Sequence, residues 1–176
     1  MNVSATNQNQ VANRELVKTI KPQNTLFVIG LLFVLFYIAQ YYFSLRFNAL
    51  NNLQSDYDFK LLTGIGLAVY IFSQWRLYRV RENQSKISQR RIIQIHQWLG
   101  VLSPVVLYIH TAQIGYGYQL VMTYCFLLTV LSGIMSPSFL GYRNRLFYKL
   151  WLITHVLFAF LFFLLIFYHL LIVFTY

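Results

Sequence analysis

The sequence predicts an all-α fold, a polytopic bundle of five membrane-spanning helices, and three observations predict it. The chain is 58% hydrophobic and only 10% charged over 176 residues, more apolar than a soluble domain of this size. Five apolar runs approach or reach the roughly 20 helical residues that a hydrocarbon core about 30 Å thick requires. The basic residues gather between alternate runs, as expected when cytoplasmic loops hold the excess of lysine and arginine.

The runs fall at 25–43, 61–80, 92–112, 118–135 and 150–174. The first is longer than the apolar core of a typical signal peptide and has no small-residue cleavage site, so it reads as retained. The second ends among Gln74, Arg76 and Arg79, whose long side chains can reach the interface along their aliphatic stems. Twelve of the fourteen basic residues lie on one side: Arg14, Lys18 and Lys21 in the tail, Arg76, Arg79, Arg81, Lys86, Arg90 and Arg91 around the second connection, and Arg143, Arg145 and Lys149 before the fifth run. Only Arg46 and Lys60 lie opposite. The predicted orientation has a cytoplasmic N-terminus and an extracytoplasmic C-terminus, in a bacterial inner membrane.

Residues 1–24 form a polar tail, in which Ala12, Leu16, Val17 and Ile20 suggest a short interfacial helix or a solvated linker. Residues 25–176 form the membrane bundle. The net charge of +10 does not indicate nucleic acid, because the basic residues flank apolar runs instead of sharing a face with stacking aromatics. The single cysteine, Cys125, excludes an internal disulfide and a cysteine-based metal cluster within the chain.

The chain has four histidines, in "HQWLGVLSPVVLYIH" (His96 to His110) and "HVLFAFLFFLLIFYH" (His155 to His169), each pair 14 residues apart. In a helix that spacing rises about 21 Å and turns about 1400°, within about 40° of four full turns. Both members of a pair therefore point the same way. The third and fifth spans run parallel, so His96 is expected opposite His155 and His110 opposite His169. Facing imidazoles suit a six-coordinate haem iron, which predicts two b-type haems, the inner on His96 and His155 and the outer on His110 and His169. Gly100 would let a flat macrocycle approach the backbone, and Phe162 would fill the space between the two rings. The competing account is polar packing or a proton relay. Zinc and copper fit poorly, since each depth offers two imidazoles and no carboxylate or thiolate.

Two ligands on each of the third and fifth spans, together with "HQWLG" and "SGIMSPSFLGYRNRLFYKLWLITH", resemble the ferric reductase-like transmembrane superfamily over about residues 60–176. The equal spacing also resembles di-haem cytochromes b. The resemblance implies electron transfer across a membrane. Enzymes of that superfamily take electrons from a flavin and nicotinamide domain after the membrane part, and the chain ends at Tyr176 with no nucleotide-binding βαβ unit. The electron donor is thus expected to be another redox subunit or a quinol.

The expected function is that of a di-haem b-type cytochrome moving electrons as a subunit of a larger redox complex, not a complete enzyme. Its partners would be membrane lipid and other redox subunits, with quinone a candidate partner and cofactor. Two alternatives stand beside it: a quinone-reacting anchor for a peripheral oxidoreductase, and a non-redox assembly or transport subunit.

Overall fold

The computed structural model describes residues 25–45, 47–81, 86–137 and 145–175, with the side chains of 76–90 excepted. Among these residues the regular structure is helical throughout: α1 Thr25–Tyr42, α2 Asn48–Ser55, α3 Tyr57–Arg81, α4 Lys86–His110, α5 Tyr118–Ile134 and α6 Arg145–Thr175. Three stretches, α1, Arg91–His110 within α4, and α6, are long and apolar enough to cross a membrane by length and composition. The helix α5 is apolar but shorter, at 17 residues. The 25-residue α3 has the length without qualifying by composition, because Lys60, Gln74 and its terminal arginines dilute its apolar content. The polar tail and its suggested interfacial helix lie outside the described residues, as do the side chains of Arg76, Arg79, Arg81, Lys86, Arg90 and Arg143.

The helices pack as two hairpins, α3 with α4 and α5 with α6, joined where α4 meets α5. On α1, Leu26, Gly30, Val34, Tyr37 and Gln40 are buried at three- and four-residue steps, while Val28, Leu32, Leu35 and Phe36 face outward. That stripe is one helical face. It lies close on its neighbours: a Cβ at Gly30 would stand 2.8 Å from Ile134 Cδ1 and 3.2 Å from Val101 Cγ2.

Two local devices shape α4. Pro104 is fully buried within it and has no N–H to offer the carbonyl of Gly100 one turn back. The Ser103 hydroxyl donates to that carbonyl at 2.6 Å, so the oxygen left by the proline has a partner.

At its other end, α4 is held by α2, a helix absent from the sequence-based account. The buried Gln54 donates from Nε2 to the carbonyls of Tyr108 at 2.7 Å and Ile109 at 3.2 Å, and accepts from the Ala112 N–H at 3.3 Å. The last carbonyls of a helix have no partner within it, and one side chain here serves two of them. Replacing Gln54 with leucine is expected to lower stability by about 1–3 kcal/mol, the cost of leaving buried polar groups unpaired. Thermal unfolding of the detergent-purified chain would register this as a lower Tm.

The turn from α4 to α5 depends on Gly115 (φ 76°) and Gly117 (φ 58°), left-handed conformations open to glycine at little cost. It sets Tyr118 at the first position of α5, beside His169 of α6.

Candidate functional site

All four histidines are half-buried and lie on α4 and α6. His96 and His155 face each other across the helix interface, their ring centroids 6.4 Å apart and their planes at 85°. His169 lies near enough to His110 for the two to interact electrostatically.

Neighbouring helices hold three of the four rings. On α3, Thr63 Oγ1 donates to the Phe59 carbonyl at 2.7 Å and to that of Lys60 at 3.2 Å, and lies 3.2 Å from His110 Nδ1. On α5, Ser132 Oγ donates to the Thr129 carbonyl at 2.9 Å and lies 2.9 Å from His155 Nδ1. At the start of α5, the Tyr118 hydroxyl is 3.2 Å from His169 Nδ1. His96 has its ring contact with His155.

Trp151, one turn before His155, stacks on that imidazole at 5.9 Å with 12° between planes, while its Nε1 donates to the Ser132 carbonyl at 2.6 Å. Ser132 therefore engages α6 twice, through its hydroxyl and its carbonyl. A half-buried imidazole in an apolar setting needs such partners.

Comparison with protein-family models, with curated proteins and with solved structures finds no match. The resemblance to the ferric reductase-like superfamily accordingly rests on the residues quoted for it.

The cofactor assignment made from the sequence is corrected. Among the described residues no group of three or more His, Cys, Asp and Glu side chains stands together to hold a metal ion, and none of the four histidines is fully buried. The two b-type haems on His96/His155 and His110/His169, and the quinone named with them, are not carried by the structure. The physical reason for the difference is that helical spacing reports only the direction in which a side chain points. It does not report the neighbouring hydroxyls, carbonyls and rings that occupy an imidazole once the helices pack.

The other two predicted residues have ordinary packing surroundings. Gly100 faces α3, where an added Cβ would meet only Gln74 Oε1 at 3.9 Å. Phe162 belongs to the buried core and packs on Phe126, with ring centroids 5.3 Å apart.

Sequence reasoning overlooked Thr63, Ser132 and Trp151. Two of these carried a readable signal: Thr63-Gly64 and Ser132-Gly133 are each a hydroxyl residue followed by glycine inside an apolar run, a combination suited to close interhelical contact.

Proposed function

We propose that this chain is a membrane-embedded electron-transfer subunit of a larger redox assembly, with five crossings, a cytoplasmic N-terminus and an extracytoplasmic C-terminus in a bacterial inner membrane. Membership of the ferric reductase-like transmembrane superfamily is part of the same proposal, supported by the placement of the histidines and by "HQWLG".

The observation that carries it is the facing of His96 and His155 with their ring centroids 6.4 Å apart, about four helical turns along from His110 and His169. Intramembrane ionisable residues are costly and mark pathways for charge. Imidazole in particular offers a neutral nitrogen donor whose properties are set by the bond made at its other nitrogen. The two pairs lie roughly 21 Å apart along the helix axis.

The test is transmembrane electron flow. Vesicles enclosing ferricyanide and carrying the purified chain would be given dithionite from outside. Electron transfer predicts loss of the ferricyanide absorbance at a rate well above that of protein-free vesicles, and a much lower rate for His96→Ala. Equal rates with and without the chain would end the proposal.

A second reading has its own observation. Hydroxyl groups at Nδ1 of His110, His155 and His169 also suit a non-redox membrane subunit whose histidines join helices. That reading predicts no electron flow in the same vesicles.

A further inference from the structure

The two hydroxyl-glycine steps have the same construction. Thr63 is followed by Gly64, and a Cβ at Gly64 would stand 3.0 Å from His110 Cε1. Ser132 is followed by Gly133, and a Cβ there would stand 3.3 Å from His155 Cε1. In each case the carbonyl three residues before the hydroxyl, that of Lys60 or Thr129, accepts from that hydroxyl, and the hydroxyl in turn lies within hydrogen-bond distance of the histidine Nδ1. The repeated unit is thus a carbonyl, a hydroxyl three residues on, and a glycine next to it. One copy lies on α3 and receives a ring from α4; the other lies on α5 and receives a ring from α6.

We infer that Lys60-Thr63-Gly64 and Thr129-Ser132-Gly133 are two equivalent notches that seat one imidazole of each histidine pair and fix its proton on Nδ1, leaving Nε2 bare. A backbone carbonyl can only accept. A hydroxyl whose single proton is committed to carbonyls of its own helix, as Thr63 and Ser132 are, has only its acceptor side left for the ring. An imidazole nitrogen facing such a hydroxyl must carry the hydrogen, and a neutral ring then has its lone pair on the other nitrogen. The glycine is required because a methyl group in its place would press on the ring's Cε1 edge. Thr63 and Ser132 act through the histidines and are positioning residues.

The functional weight of the notches rests on the electron-transfer reading. Their geometry does not depend on it. His110 and His169 are both held by hydroxyl residues, whereas in the inner pair only His155 is held so. The notches therefore seat the outer member of one helix and the inner member of the other.

The test is ¹⁵N NMR of the full chain, labelled at histidine and held in lipid nanodiscs at a pH above the imidazole range. At least two rings are expected as the Nδ1–H tautomer. Thr63→Val is expected to shift the signals of one of them and Ser132→Ala those of another, while Ser132→Thr restores the original position. Protons found on Nε2 of both His110 and His155, or variants that move the same ring or none, would overturn the inference. Tautomers as assigned in a chain without electron transfer would leave the notches standing and remove only the functional reading.

Discussion

Gly64→Val is expected to destabilise the protein strongly, and Gly66→Val, two residues along the same helix, is not. The first glycine already stands at contact distance from an imidazole: its Cβ alone would lie 3.0 Å from His110 Cε1, and valine adds two further carbons. Either the ring leaves Thr63 or α3 and α4 separate. Overpacking of this kind costs about 1–3 kcal/mol, and loss of the Thr63 bond adds about 1 kcal/mol. At Gly66 nothing lies within 4 Å of the added carbon, and valine is a slightly better helix former than glycine, by roughly 0.3 kcal/mol. The two variants should therefore move Tm in opposite directions, or Gly66→Val should leave it unchanged. Equal losses would mean that the notch on α3 is not a close contact.

His155→Ala is expected to have the broadest effect of any single change at the site. It removes the partner of His96 at 6.4 Å, the acceptor-facing group of Ser132 and the ring on which Trp151 stacks. The change breaks the His96–His155 face, while His110 and His169 keep their contacts with Thr63 and Tyr118. Transmembrane electron flow then falls to the level of protein-free vesicles. His155→Gln retains a polar group of similar reach, so a stability loss seen with alanine and recovered with glutamine, while electron flow stays absent, separates packing from charge transfer. Electron flow unaffected by either change would exclude His155 from the route.

The long helices were legible because an apolar run of about 20 residues has few other folded states available. The facing of His96 and His155 followed from the 14-residue spacing, which makes nearly four helical turns, together with the expectation that the two helices run parallel. The short helix α2 was not legible. Its sequence, NALNNLQS, has no sustained apolar period, and it is held largely through Gln54, whose partners lie more than fifty residues away. The notches were half legible: the glycines at 64 and 133 announce close packing, but nothing in the chain says that the object received is an imidazole. The cofactor reading failed on the same ground, because ligand spacing specifies direction and leaves the surroundings of each ring undetermined.

The central claim is that the chain carries electrons across a membrane, and the most direct measurement is the loss of ferricyanide absorbance inside sealed vesicles carrying the purified chain and given dithionite from outside, taken beside His96→Ala and His110→Ala. The account predicts a rate well above that of protein-free vesicles and a lower rate in each variant. A folded, fully inserted chain whose rate equals that of protein-free vesicles would contradict it and leave the four histidines as the polar joints of a helix bundle.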